Sequence, residues 1–457
     1  MNVPKSVGMI LLVTVAGALS LGIHAQAPAR SADSSALPSD VYADSRNRLP
    51  LPKRDDFDEE GKKIYDKLTA KSELAVGIEQ PGVRLWDPKL AGLEGNVSHY
   101  LKYETGLPDR LLEIAVLVTA REMDCQYEWT QWETHGRDPK DPRLIEPAII
   151  DMIKYEKPVV GLGEKETAII KFGRETFGQR LLTSQTFADV LRLFGRKGTV
   201  DLLWTMANYS AAAAELTAFD NHLRADQKPL LPPITHPRNP ARFAAAAANP
   251  LPKDVYPESR YRLPLPNRAE MSPADQKAFD ELTGASANYN IGLKEKLPVG
   301  IEQLAVRLWD PQFAKPKGEV GHYLKYEIEM PDRLMEIAVL TVSREMDCQY
   351  EWTQWETHGR DPKDPRHIDP ALIDMIKYRK PVVGLGEKET AIITFGRETF
   401  GDRKVSSETF ANVLRLFGRK GTVDLLWFMA NYSADVAEIT AFDNQIRADQ
   451  KPLLPAL

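Results

Sequence analysis

The sequence predicts an all-α protein built from two tandem copies of one helical-bundle domain. Apolar residues recur at spacings of three and four, which is typical of helices, and alternating strand patterns are missing. Long blocks of the first half return in the second half, so the repeated unit is a whole domain. A chain of 457 residues is also too long for one ordinary core and fits two domains.

The repeat gives the predicted domain boundaries. "VYADSRNRLPLPKR" at Val41 returns as "VYPESRYRLPLPNR" at Val255, and "DQKPLLP" at Asp226 returns unchanged at Asp449. The offset rises from 214 to 223 residues, so the second copy has gained nine residues, near "SANYNIGLKEK". A proline-dense and alanine-rich segment separates the copies and indicates a semi-stiff linker. The predicted division is a signal peptide at 1–25, domain 1 at 26–227, a linker at 228–252 and domain 2 at 253–457.

Composition argues against two classes of partner. The net charge is −6 and no block of like charges occurs, so we expect neither a nucleic-acid partner nor a polybasic membrane contact. At the N-terminus, Lys5 precedes an apolar run at 7–23 and small residues around Ala25, as in a cleaved export signal. The alternative is an uncleaved membrane anchor. The expected location is periplasmic or secreted, with no membrane association after cleavage.

Helices are predicted throughout each copy. In "PDRLLEIAVLVTARE", Pro108 marks a helix start, and one apolar stripe follows. Further helices are predicted to end at Gly178, at Gly195 and after Phe219, which gives seven or eight helices per domain. The predicted stripe consists of Leu111, Ile114, Ala115, Val118 and Thr119.

The stretch "REMDCQYEWTQWETHGRDPKDPR" occurs twice without a change, ending at Arg143 and at Arg366, although its flanks have diverged. We interpret it as a helix with Asp124 as N-cap and Gly136 as its end. One stripe then carries a thiol, a carboxylate, an indole and an imidazole. The helix ends favour a thiolate near the start and a protonated imidazole near the end. The stripe comprises Cys125, Glu128, Trp132 and His135, repeated as Cys348, Glu351, Trp355 and His358.

A carboxylate also interrupts the apolar run "LLEIAVLV". Glu113 lies twelve residues before Cys125, and Glu336 repeats this position before Cys348. An unpaired buried carboxylate is costly, so these side chains need either a function or a partner such as Arg84. A turn near Asp124 would pack the helix carrying Glu113 against the helix carrying Cys125.

The run "LPDRLLEIAVLVTAREMDCQYEW", with "RLWDP" upstream, resembles the carboxymuconolactone decarboxylase family, which includes the alkyl hydroperoxidase D proteins. The resemblance covers nearly all of both halves. It implies an all-α, oligomeric domain with a site between packed helices. Glu113 and Cys125 match the family's glutamate and first cysteine, whereas Glu128 fills the second cysteine position and Trp132 the histidine position. We expect His135, one turn further along, to replace that histidine.

The predicted site occurs once in each copy and uses neither a cofactor nor a metal. Its spacing offers no convincing metal-ligand set. The predicted catalytic residues are Glu113, Cys125, Glu128, His135, Glu336, Cys348, Glu351 and His358. The predicted substrate-binding residues are Arg84, Tyr127, Trp132, Arg307, Tyr350 and Trp355.

Three functions follow from these residues. The first is acid–base chemistry on a small carboxylated or lactone-type substrate, with the Glu113 and Glu336 carboxylates as bases or orienting groups. The second is a thiol-dependent peroxidase in which both cysteines attack a hydroperoxide and an external thiol reductant completes the cycle. The third is a ligand-binding or assembly module without turnover. Self-association, between the domains or as a homo-oligomer, is expected in each case.

Overall fold

The computed structural model describes residues 37–70, 80–234, 251–283 and 302–456. Helices and short helical turns are the regular elements in these ranges, which contain no β-strand, so the all-α prediction is confirmed. None of the helices described is both long and apolar enough to cross a membrane. The predicted signal peptide at 1–25 and linker residues 235–250 lie outside the described residues.

Each half of the described chain contains eight α-helices, in agreement with the seven or eight predicted per domain. The first copy has α1 Glu59–Thr69, α2 Gln80–Arg84, α3 Pro88–Tyr103, α4 Asp109–Glu122, α5 Gln126–Arg137, α6 Pro147–Lys154, α7 Glu164–Gly173 and α8 Ser184–Ala218. The second copy has α9 Pro273–Thr283, α10 Glu302–Arg307, α11 Pro311–Tyr326, α12 Asp332–Glu345, α13 Gln349–Arg360, α14 Pro370–Lys377, α15 Glu387–Gly396 and α16 Ser407–Phe442.

Local sequence signals account for several helix ends. Asp87 caps α3 by accepting a hydrogen bond from the backbone N–H of Leu90, and proline follows directly. The long helix α8 breaks at Gly195, whose φ of 69° suits glycine, as the sequence predicted. Gly178 does not end a helix, because it lies inside a π-helical turn, Arg174–Gln179, that follows α7.

The central helix of the first copy is α4, which packs against α5, α6, α7 and α8. Every residue from 111 to 122 is buried, so the prediction of a single apolar stripe was too narrow. A helix surrounded by neighbours is buried on all sides, and its apolar residues need no helical period. The corresponding helix α12 occupies the same position in the second copy.

The two copies pack together within one compact unit, Ser35–Leu457. Helix α8 packs against α16, and α3 against α11. Tyr100 donates a hydrogen bond to Asp310 at 2.7 Å, and the equivalent Tyr323 donates to Asp87 at 2.6 Å. Because each contact occurs twice with the roles exchanged, the copies pair as the subunits of a two-fold symmetric dimer do.

One buried position of this contact breaks the symmetry. Glu94 on α3 and Lys317 on α11 occupy equivalent positions, and both are buried. Burial raises the pKa of Glu94 and lowers the pKa of Lys317, while the attraction between the two charges opposes both shifts. Lys317 also donates a hydrogen bond to Asn431 Oδ1 at 2.5 Å. The two copies therefore present opposite charges to each other at this position.

Candidate active site

A helical hairpin places Glu113 beside the C-terminal end of α5. Helices α4 and α5 are joined by the short turn 123–125, in which Asp124 has a φ of 54°. The chain reverses there, so Glu113 on α4 faces Gly136 on α5. A Cβ at Gly136 would lie 3.0 Å from Glu113 Oε1. A Cβ at Gly359 would lie 3.0 Å from Glu336 Oε1. Glycine therefore makes room for the carboxyl group in both copies.

The Glu113 carboxyl is fully buried, and neither of its oxygens has a partner with hydrogen-bond geometry. Burial raises the pKa of Glu113 to about 9, partly offset by the Arg143 guanidinium and the nearby Gly136 N–H. In the second copy, burial raises the pKa of Glu336 to about 8, and Arg366 opposes that rise. Arg84, the partner considered from the sequence, is not the cation that acts on Glu113.

A polar cluster lies within electrostatic range of Glu113, and we call it the rim: His135, Asp141 and Arg143. Arg143 donates two hydrogen bonds to Asp141, at 2.8 and 2.6 Å, and holds the pKa of Asp141 well below its usual range. His135 Nδ1 lies 3.1 Å from Asp141 Oδ2, and its side chain is 44% exposed. The rim thus combines two charged groups that act on the buried carboxyl with an imidazole that is half exposed.

The second copy repeats the rim as His358, Asp364 and Arg366. His358 Nδ1 lies 3.2 Å from Asp364 Oδ2, and Arg366 donates to Asp364 at 2.8 and 2.7 Å. Burial lowers the pKa of His358, and the Arg366 charge adds to this effect. The predicted rise in imidazole pKa from the helix end is therefore wrong for His358, because desolvation and a neighbouring cation outweigh it.

Aromatic side chains form another wall of the site. The Trp132 and Tyr209 rings meet edge to face at 5.2 Å, and the Arg143 guanidinium lies 5.4 Å from the Trp132 ring centre. Burial raises the pKa of Tyr209, and the Glu128 and Glu113 carboxylates add to the rise. Tyr209 therefore lies within electrostatic range of both glutamates and keeps its proton. The triplet "NYS" recurs at Asn208 and Asn431, and a helical position for it left helix packing and a pocket residue as alternatives; Tyr209 was not among the predicted substrate-binding residues.

Glu128 and Glu351 are buried, so neither lies on a solvated helix face. In the second copy, Trp355 donates a hydrogen bond to Glu351 Oε1 at 2.9 Å, and the Trp355 ring meets Tyr432 edge to face at 5.3 Å. Trp355 thus orients a carboxylate. Four predicted residues come together in each copy: the two glutamates, the tryptophan and the histidine.

The cysteines lie at the other end of the same helix. Cys125, rather than Asp124, is the N-cap of α5, which continues through Gly136 to Arg137. Eleven residues of helix separate position 125 from position 136, a rise of about 16 Å along the axis. Cys125, at the N-terminal end of the predicted stripe, therefore lies outside the site. Its thiol is remote from the Glu113 carboxyl.

Apolar neighbours surround both thiols. Cys125 and Tyr127 pack with Ala213 and Leu216, and neither Cys125 nor Cys348 is in a disulfide. Burial raises the pKa of Cys348 well above its usual range, and the Glu351 carboxylate adds to the rise. The thiolate expected from the helix start is therefore wrong for Cys348. Tyr350 packs with Cys348 in the same way, so both predicted tyrosines lie with the thiols.

Arg84 and Arg307 form buried ion pairs within their own copies. Arg84 donates to Glu215 Oε2 at 2.7 Å, and Arg307 donates to Glu438 Oε2 at 3.0 Å and to Asp435 at 2.6 Å. Their guanidinium groups also lie over tryptophan rings of the opposite copy, Trp427 at 4.3 Å and Trp204 at 4.6 Å. These hydrogen bonds are internal to the protein, and substrate binding by either arginine stays a prediction.

Among the described residues, no group of three or more His, Cys, Asp or Glu side chains is arranged to hold a metal ion. Comparison of the chain with protein-family models, with curated proteins and with solved structures found no match. The function proposed below therefore depends on the site geometry and on the sequence resemblance.

Proposed function

We propose that this chain is an exported protein, similar to the carboxymuconolactone decarboxylases, that performs cofactor-free acid–base chemistry on a small carboxylated or lactone-type molecule. One observation carries the proposal: a fully buried carboxyl without a hydrogen-bond partner lies within electrostatic range of a rim whose histidine is half exposed, and this arrangement recurs at Glu336. Buried groups with strongly shifted pKa values are concentrated at functional sites.

The raised pKa values of Glu113 and Glu336 change the role that the sequence predicted for these two residues. With pKa values of about 9 and about 8, the Glu113 and Glu336 carboxyls are protonated at pH 7. They are proton donors at that pH, whereas the sequence suggested bases. If a substrate carboxylate leaves as carbon dioxide, its bonding electron pair remains on carbon, and the Glu113 proton is transferred to that carbon. The Glu113 carboxylate then recovers a proton from solvent through the rim.

Other side chains fit the recognition of an anionic substrate. The Arg143 and Lys102 charges both favour a negative charge at the Glu113 position. The Tyr209 hydroxyl remains protonated and is a suitable donor to an oxyanion. Trp132 and Tyr209 supply flat apolar walls, which suit a small ring.

The two alternatives receive less support. A peroxidase needs an accessible thiol of low pKa, whereas Cys125 and Cys348 are buried and burial raises the pKa of Cys348. A binding module without turnover is compatible with the same aromatic and charged side chains, but it assigns no task to a buried acid with a shifted pKa.

The test is turnover of a panel of carboxylated lactones, followed by NMR of the products, with Glu113→Gln, Glu336→Gln and the double variant. Each single variant is expected to retain about half of the activity, since the two sites repeat the same geometry, and the double variant none. The matched control is Cys125→Ser with Cys348→Ser, which should remain active. Full turnover by the double glutamine variant would refute the proposal, and saturable binding without product would favour the binding module.

A further inference from the structure

Two equivalent polar clusters lie at the boundary between the two copies, and each contains groups from both. In the first cluster, Lys197 donates a hydrogen bond to Asp201 Oδ2 on its own helix at 2.7 Å and to Asp310 Oδ2 of the other copy at 3.0 Å. The Tyr100 hydroxyl also donates to Asp310 and accepts a hydrogen bond from Lys197 at 3.2 Å. Two carboxyl groups, one from each copy, therefore share one ammonium group.

The second cluster repeats this arrangement with the roles of the copies exchanged. Lys420 donates to Asp424 Oδ2 at 2.7 Å and to Asp87 Oδ2 at 2.9 Å. Tyr323 donates to Asp87 and accepts a hydrogen bond from Lys420 at 3.2 Å. All four aspartates are buried, at most 4% exposed. The carboxyl groups of both clusters are thus removed from water.

Each cluster contains one ammonium group for two carboxyl groups. A second carboxylate would be buried without a counterion of its own, which is costly. Two carboxyl groups that share a site therefore keep one proton between them at a pH where isolated carboxyls are ionised. Burial raises the pKa of Asp201, and the Asp310 carboxylate, within hydrogen-bond reach, adds to the rise. Burial and the Asp87 carboxylate raise the pKa of Asp424 in the same way.

The hydrogen bonds indicate which of the two carboxyl groups carries the proton. Asp310 caps α11: its Oδ1 accepts from the helix backbone at 3.4 Å, and its Oδ2 accepts from both Tyr100 and Lys197. Donors and a helix N-terminus both favour the ionised carboxylate. Asp201 accepts from Lys197 alone, and its Oδ1 has no partner. The proton therefore belongs to Asp201, and the same contacts assign it to Asp424 in the second cluster.

The surrounding charges do not remove this excess of carboxyl groups. Asp275, on α9, lies within electrostatic range of the Tyr100 hydroxyl and adds a further negative charge beside the first cluster. In the second cluster, Lys89 lies 5.1 Å from the centre of the Tyr323 ring, but it is paired with Glu327. Neither neighbouring group therefore supplies the second positive charge that each cluster lacks.

We infer that the contact between the copies is linked to proton uptake: each cluster holds one proton shared by its two carboxyl groups, so the copies take up two protons as they pack together. In the unfolded chain, Asp201 and Asp424 titrate near their ordinary pKa of 3.8. Their pKa is raised in the folded chain, so this stabilisation is complete below the unfolded pKa and is lost as the pH rises towards the folded pKa. The contact between the copies should therefore weaken in alkaline solution.

A pH titration by carbon NMR, with aspartate labelled at its carboxyl carbon, tests directly for the two protons. Asp201→Asn and Asp424→Asn each remove one signal and so assign it. In the parent, both signals should still be at the position of a protonated carboxyl at pH 6, where exposed aspartates have completed their titration. An ionised signal from either residue at pH 6 would overturn the inference.

Urea unfolding tests the link between these protons and stability. The double variant Asp201→Asn with Asp424→Asn keeps the shape of the protonated side chains and an N–H donor towards the partner carboxylate, but it has no proton to lose. Between pH 5 and pH 6, the folding equilibrium constant of the parent should fall about a hundredfold relative to that of the double variant, about tenfold for each proton. Equal pH dependence in the two proteins would refute the link.

Two controls make this comparison specific to the clusters. The carboxyl groups of the acid–base site, Glu113 and Glu336, are present in both proteins, so their contribution cancels. The exposed Asp226→Asn variant should follow the parent. If the double variant does not fold, each single variant should show a change of about tenfold in the same assay, and a single variant with the pH dependence of the parent would contradict the inference.

Discussion

The buried Glu113 carboxyl makes the stability of the protein depend on pH in a defined direction. The pKa of this group is 4.5 in its reference state and about 9 in the folded protein. Between these values the unfolded chain loses the proton while the folded chain keeps it, and ionisation therefore favours unfolding. The full stability is present below pH 4.5 and is lost as the pH rises towards 9. At about 1.4 kcal/mol per pH unit, the loss from pH 4.5 to pH 7 is about 3 kcal/mol.

Urea unfolding of the parent and of Glu113→Gln at pH 4.5 and pH 7 tests this prediction. Glutamine does not ionise, so the variant should gain about 3 kcal/mol relative to the parent between the two pH values. Any constant cost of burying the amide cancels in that comparison. The exposed Glu258→Gln variant is the matched control and should show no such gain. If Glu113→Gln differs from the parent by the same amount at both pH values, the carboxyl is not held in its neutral form and the reasoning fails.

Three further perturbations test other parts of the structure. In a Cys125→Ser background, a disulfide-exchange reagent at pH 8 should label Cys348 only after unfolding, because burial raises its pKa; rapid labelling of the folded protein would contradict this. Gly136→Ala should destabilise the fold and lower activity, because its Cβ would crowd Glu113 Oε1 at 3.0 Å. In the control Gly95→Ala the new Cβ has no neighbour within 4 Å, so the free energy of unfolding in urea should rise by up to about 1 kcal/mol. An equal rise in the free energy of unfolding for Gly136→Ala and Gly95→Ala would be inconsistent with crowding at Gly136. Tyr323→Phe should cost about 1.5–3 kcal/mol by the same assay, because it removes a hydrogen bond to Asp87 between the copies, and an unchanged midpoint would show that this contact adds nothing.

The sequence predicted the helices well where local signals are strong. Pro108 precedes α4 and Gly195 breaks α8, and both effects come from the backbone of a single residue. The same reasoning failed for the surroundings of α4. Its apolar period suggested one buried stripe, but the packing of four other helices around it buries every side, and no local pattern contains that information.

For the site, the twelve-residue spacing between Glu113 and Cys125 correctly predicted that the two helices pack together. It did not predict that the Glu113 carboxyl lies beside Gly136, at the far end of α5 from the thiol. The turn at 123–125 pairs Glu113 with Gly136, and this pairing depends on where the chain reverses. The sequence predicted Asp124 as the N-cap of α5, whereas the N-cap is Cys125, one residue later. Helix boundaries commonly differ by one or two residues between assignments. The rim could have been found from the sequence. The stretch that is repeated unchanged extends beyond α5 and ends at Arg143, which donates hydrogen bonds to Asp141.

The opposite charges of Glu94 and Lys317 make the two repeats of the gene non-interchangeable. A recombinant encoding two first repeats would bury two carboxylates at the contact between them, and one encoding two second repeats would bury two ammonium groups. Each product would lose the attraction between Glu94 and Lys317 and would bring two like groups into the buried contact, where Arg84 still favours ionised Glu94 and Asp435 still favours charged Lys317. Exchange of one repeat for the other is therefore unfavourable at this position, where the two copies carry groups of opposite charge.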